Sequence, residues 1–112
     1  MNESTHNMDK SDVIKVVEKF AEAVKNKYDY KNIILFGSFA KGTGTENSDI
    51  DIAVVFSDYS DSINMQLELM RLRRNIDSRI EPHPFKEIDF NYTNPIVNEI
   101  LKYGFEIKNK NL

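Results

Sequence analysis

Apolar residues early in the chain recur at helical spacing: Val13, Val17, Phe20 and Val24 step by four, three and four positions. That spacing predicts a helix with Ser11 or Asp12 as its N-cap, running to about Lys27. The period then changes. Asn32-Ile33-Ile34-Leu35-Phe36 is a β-branched and aromatic run that stops at Gly37, and it reads as a buried strand. Ser38 to Lys41, between two glycines, has room for one helical turn. A second strand-like run, Asp49 to Phe56, is apolar on both faces after its first residues, so it belongs in the middle of a sheet. From Asp61 or Ser62 to about Asn75, two apolar rows predict another helix: Ile63-Leu67-Met70 and Met65-Leu69-Leu72-Ile76. Together they are wider than the stripe of a surface helix. Ser78 to His83 suggests a third strand, with Pro82 marking an edge position or the strand's end. Asn94-Pro95 is a cap followed by proline at the first helical position, and Gly104 is the expected stop. Phe105-Glu106-Ile107 is a last short strand or an extended tail. This order indicates an α+β (mixed α/β) domain.

Length and composition narrow the class without touching the chemistry. At 112 residues the chain has room for one domain, taken as 11–108 with a flexible N-terminus at 1–10 and a tail at 109–112. Hydrophobic residues at 40% make it too apolar for a disordered chain. No window approaches the roughly 18 apolar residues of a membrane span. The polar start, MNESTHNMDKSD, lacks the apolar stretch of a secretory signal. Cysteine is absent, which excludes disulfide scaffolds and Cys-ligated zinc. A net charge of −3 argues against direct nucleic-acid binding, which usually shows a basic excess. A cytoplasmic location is the expectation.

The chemistry is concentrated between Gly37 and Asp51. Three of the four glycines lie between Gly37 and Gly44, marking a loop that turns tightly or approaches something closely. Asp49 and Asp51, two apart on a strand, project to one face about 6.5 to 7 Å from each other. Two carboxylates held together beside an apolar strand repel and lose hydration, which is costly unless a cation sits between them. Their hard oxygens suit Mg²⁺, which keeps waters and completes its shell with substrate phosphate. Gly37 lets successive backbone N–H groups face an anion, Ser38 adds a hydroxyl, and Lys41 lies one turn on. A nucleoside triphosphate held between this loop and a carboxylate-bound metal pair is the physical expectation.

Gly37-Ser38-Phe39-Ala40-Lys41-Gly42, followed by Asn47-Ser48-Asp49-Ile50-Asp51, resembles the signature of the polymerase-β-like nucleotidyltransferase superfamily. The small size resembles its minimal nucleotidyltransferase (MNT) branch. The resemblance implies a short mixed sheet flanked by three to four helices. It implies transfer of a nucleoside monophosphate, AMP from ATP, to a hydroxyl with release of pyrophosphate and two Mg²⁺ ions. It also implies a third carboxylate from the next strand. Glu81 is preferred and Asp77 is the alternative, so Asp49, Asp51 and Glu81 are the expected catalytic and metal-binding acids. The shortness is read as leaving the acceptor side to a homodimer or a separate protein. By resemblance that protein is a HEPN-type RNase toxin, modified on a tyrosine, with this chain as antitoxin. Two other readings stay open: a binding module that masks its partner without catalysis, and a transferase acting on a small molecule such as an aminoglycoside.

Three further features have bland readings beside functional ones. Glu81 can be a solvent-facing acid on an edge strand. His83 can be structural or a catalytic base. Arg71, Arg73 and Arg74 suit the end of a helix dipole or a substrate anion.

Overall fold

A computed structural model of the chain describes residues 10–108. Helix α1 (Lys10–Lys25) is followed by strand β1 (Asn32–Phe36), the single turn α2 (Ser38–Lys41) and strand β2 (Ile50–Phe56). Helix α3 (Ser62–Leu72) continues as a 3-10 turn, Arg73–Asn75, into strand β3 (Ile80–Lys86). A second 3-10 turn, Glu87–Asp89, leads to helix α4 (Pro95–Tyr103) and the short strand β4 (Phe105–Glu106). The expected flexible N-terminus and the tail fall, Lys10 apart, outside the described residues. Lys10 is already helical, so neither Ser11 nor Asp12 is the N-cap. Asp12 sits instead in the first turn, where a negative charge suits the helix dipole.

The four strands form one mixed sheet in the order β3-β2-β1-β4. β1 runs antiparallel to both β2 and β4, while β2 and β3 are parallel. A parallel pair needs a crossover, and α3 supplies it. Its start is fixed by Asp61, whose carboxylate accepts from the N–H groups of Ile63 (2.9 Å) and Asn64 (3.3 Å). Asn94 caps α4 in the same way, accepting from Ile96 N–H at 3.1 Å, with Pro95 in the first turn. Both helix starts agree with the sequence reading.

Strand residues alternate between two cores. On one face, Val13, Val17, Phe20 and Val24 of α1 and Leu69 of α3 bury against Ile33, Leu35, Ile50, Ile52, Val54 and Ile80. On the other, Ile100 of α4 packs with Ile34, Phe36 and Ala53. Of the two apolar rows on α3, only Met65-Leu69-Leu72-Ile76 meets the core. Ile63 and Leu67 face outward, 71% and 48% exposed. No helix among the described residues is long and apolar enough to cross a membrane.

β3 is shifted from its expected bounds of 78–83. Asp77, Ser78 and Arg79 form a turn instead, because the Asp77 carboxylate accepts from both the backbone N–H and the guanidinium of Arg79. The strand then continues through Pro82 and Pro84. Ile50 N–H donates to Arg79 O at 2.8 Å, so the odd-numbered positions of β3 face β2 and the even-numbered ones face outward. Both prolines therefore lack an N–H only on the free edge. The outward carbonyls are covered from the crossover: Arg73 donates to Ile80 O and Gln66 to Pro82 O. Arg73 also donates to Ser78 O, and Arg71 pairs with Glu68. These contacts, rather than a helix dipole alone, hold two of the three arginines.

Candidate active site

The motif residues meet where β1 ends and β2 and β3 begin. β1 delivers Phe36 opposite Asp51. The chain then turns at Gly37, with φ 75° and ψ −152°. This region is open essentially only to glycine. A second constraint acts there, since a Cβ on Gly37 would collide with Oδ2 of Asp51. Gly37 is thus both a hinge and the floor on which one carboxylate oxygen rests. After α2, Gly42 ends the turn in the left-handed region and Thr43 N–H returns to Ser38 O at 2.9 Å. Gly44 lies against the Phe39 ring, where a Cβ would not fit. Ser48 closes the last bend: its hydroxyl accepts from Thr45 N–H (3.0 Å) and its N–H donates to Thr45 O (2.9 Å). The loop therefore enters β2 at a fixed angle, with Asp49 just before the strand and Asp51 within it.

Glu81 lies in register with Asp51 across the parallel β2–β3 pair. Neighbours in such a pair share a face at a strand spacing of about 4.8 Å. Asp51 and Glu81 are half-buried, and Asp49 is exposed. Among the described residues neither Asp49 nor Glu81 has a hydrogen-bond or ion-pair partner, and the Ser38 hydroxyl makes no hydrogen bond. Asp77, the alternative third acid, is occupied elsewhere. Its ion pair with Arg79 (2.6 Å) lies in the turn before β3, and the Arg79 hydrogen bond holds its carboxyl below the usual range.

Lys41 pairs with Glu99 of α4 at 3.3 Å and lies over the Tyr103 ring, 5.1 Å from its centroid. His83, two positions beyond Glu81 on the same face, approaches Asp51: Nε2 is 3.2 Å from Oδ1. The sequence offered His83 as a candidate, but not this partner.

The donor set is three hard carboxylates, two of them unpartnered and the third facing only an imidazole. That chemistry fits Mg²⁺. No group of three or more His, Cys, Asp and Glu side chains among the described residues is already gathered as a metal site. Such a site would draw its remaining ligands from water and substrate oxygens, the usual habit of Mg²⁺. Two adjoining grooves of about 510 and 620 Å³ lie far from these acids, between α1 and the end of β4, and share Lys25, Tyr30, Ile107 and Lys108. They carry none of the motif residues, whereas Asp49 is exposed and Asp51 and Glu81 are half-buried.

Residues 17–108 match the model of the nucleotidyltransferase domain. The chain belongs to that family of enzymes. MJ1379 of Methanocaldococcus jannaschii, named as a candidate protein adenylyltransferase, is 35% identical over 95 residues, 83% of this chain and 95% of the relative. A crystal structure of a candidate nucleotidyltransferase from Sulfolobus solfataricus superimposes with a TM-score of 0.67 at 18% identity, covering 90% of this chain and 84% of that one. A complex of a tri-AMPylated Shewanella oneidensis HEPN toxin with its MNT antitoxin contains a chain matching with a TM-score of 0.57 at 22% identity, covering 91% and 74%. The expected family, fold class and enzyme class are borne out.

Proposed function

We propose that the chain is a Mg²⁺-dependent protein adenylyltransferase that transfers AMP from ATP to a tyrosine hydroxyl of a helical, HEPN-type toxin, and so acts as its antitoxin. The observation that carries this reading is the alignment of Gly37, Asp51 and Glu81, in which a glycine-only turn lies against one carboxylate and a second carboxylate shares its register. Asp49, Asp51 and Glu81 hold the metal. Gly37 and Ser38 receive the triphosphate, and Lys41, once it leaves Glu99, adds positive charge to it. The acceptor oxygen attacks the α-phosphorus, a new P–O bond forms, the α–β bridging bond breaks and pyrophosphate departs. Glu81 takes up the hydroxyl proton. When bound, Mg²⁺ supplies a lower pKa for the attacking hydroxyl and neutralises charge on the leaving pyrophosphate.

A protein partner is favoured by the outward row of α3, on the face of the sheet opposite the acids. Ile63 and Leu67 stand one helical turn apart and expose large apolar surface. Such a row suits the face of another helix. Homodimerisation through it is the competing use of the same surface.

The test incubates the chain with α-labelled ATP, Mg²⁺ and a HEPN-type protein. The expected result is label on the HEPN protein, reduced by at least about 10²-fold in Asp49→Asn and Asp51→Asn variants that still fold and bind. Neutralisation that survives both substitutions would overturn catalysis in favour of masking. Label on a small hydroxyl compound instead would overturn the protein acceptor.

A further inference from the structure

Asp51 is contacted on both of its oxygens. Oδ2 rests against Gly37, and Oδ1 faces Nε2 of His83 at 3.2 Å. An ionised carboxylate only accepts hydrogen bonds, so the imidazole Nε2–H is the donor. The ring has a second contact. It packs at an angle against Phe36, with centroids 5.1 Å apart and planes at 60°. Phe36 is 5% exposed and lies directly opposite Asp51 in the antiparallel register.

A histidine two positions along the neighbouring strand would ordinarily point past Asp51. The residue in register with His83 is Ala53, which is fully buried. Its single methyl leaves space for the imidazole to lean back across β2. Three strands thus cooperate: β1 contributes Phe36 and the Gly37 floor, β2 the acid and the small neighbour, β3 the donor.

From this geometry we infer that His83 is a positioning residue that orients Asp51 for divalent-cation and nucleotide binding, an inference that rests on reading Asp51 as a metal ligand. The hydrogen bond to Oδ1 restrains the side-chain torsions and leaves lone pairs on both oxygens for a cation. The carboxylate is then held in one orientation before substrate arrives, so less ordering cost remains for the binding step. Outer partners of metal-binding carboxylates act in this way, and losing one costs about 10–100-fold in affinity or activity.

The test measures Mn²⁺ uptake by loss of the free-ion electron paramagnetic resonance signal, in the presence of the α,β-methylene analogue of ATP. His83→Phe keeps an aromatic ring against Phe36 but donates nothing, and His83→Leu is a second donor-free variant should the first not fold. His83→Gln restores an N–H near the position of Nε2. The expected result is Mn²⁺ affinity about tenfold weaker in the donor-free variants, recovery to within about twofold in His83→Gln, and unchanged thermal midpoints. Wild-type affinity in His83→Phe or His83→Leu overturns the inference, as does equal loss in His83→Gln, which would mark a packing role. Failure of the wild-type chain to take up Mn²⁺ with the analogue is a different result. It overturns the metal-site reading itself, and the inference with it.

Discussion

The two faces of the sheet are built from the same strands and differ in what they bury. Beneath α1 and α3, alternate strand residues are apolar as far as Lys86 at the end of β3, and with the helices they make a continuous core. On the opposite face the buried set is smaller, with Ile34, Phe36, Ala53 and Val55 on the strands and Val97 and Ile100 on α4, and Phe85 and Phe90 partly covered beside them. There the apolar rows give way at the strand starts to Asp51, Glu81 and His83. The difference shows how so small a domain tolerates adjacent carboxylates: stability is concentrated on one face, and the other retains enough packing to hold the acids in place. Phe20→Ala, which empties a fully buried site on the α1 face, is expected to cost about 3–5 kcal/mol. That is a large share of the roughly 5–15 kcal/mol available to a typical domain. Phe90→Ala on the other face, where the ring is half-exposed, should cost about 1–2 kcal/mol. Urea unfolding of both variants checks the contrast, and equal losses would break it.

Gly37 sits at the junction between the two kinds of region, and its substitution should separate folding from chemistry. Gly37→Ala forces a Cβ into a backbone region that costs about 1–3 kcal/mol and into the space of Oδ2 of Asp51. The strain is relieved only if the turn or the carboxylate shifts. A displacement of about 1 Å at a reacting centre can lower a rate about 10²-fold. The expected variant is folded, modestly less stable and about 10²-fold slower in labelled AMP transfer. Phe20→Ala should do the reverse, losing stability while each folded molecule keeps its rate. Transfer rates normalised to the folded fraction distinguish the two, and a Gly37→Ala protein with wild-type rate would detach Gly37 from the site.

Much of this arrangement can be read from the sequence because it is local. Asn94-Pro95 and Asp61 mark helix starts by their own side-chain chemistry. The motif from Gly37 to Asp51 announces its loop through glycines and paired acids. Features set by long-range register are not legible in the same way. Glu81 and Asp77 have the same alternation in sequence. Only the parallel β2–β3 pairing puts Glu81 beside Asp51, while the Arg79 clamp turns Asp77 into the preceding bend. The bond between His83 and Asp51 depends on Ala53 being small and on Phe36 arriving from a third strand, and no spacing encodes that. Lys41 appears beside the phosphate loop in sequence, yet α4 returns along β1 and brings Glu99 and Tyr103 to it.

The smallest expected effect comes from the acid assigned to structure. The Arg79 hydrogen bond lowers the Asp77 carboxyl below its ordinary value, against an opposing effect of burial. Between that lowered value and the unfolded value of about 3.9, the unfolded chain binds more protons than the folded one. Stability from this pair is therefore fully present above about pH 4 and is lost as pH falls through the folded value. Asp77→Asn keeps an oxygen to accept from Arg79 but removes the titration. Urea midpoints followed from pH 6 to pH 3 should fall less steeply in the variant than in the wild type. A residual slope should persist, because Glu68 is also held low, by the Tyr28 hydroxyl first and by Lys27 second. AMP transfer at neutral pH should be unchanged in Asp77→Asn and strongly reduced in Glu81→Gln. The opposite pattern would exchange the two acids, making Asp77 part of the site and Glu81 an edge-strand surface residue. It would then require the Arg79 clamp to open whenever nucleotide binds.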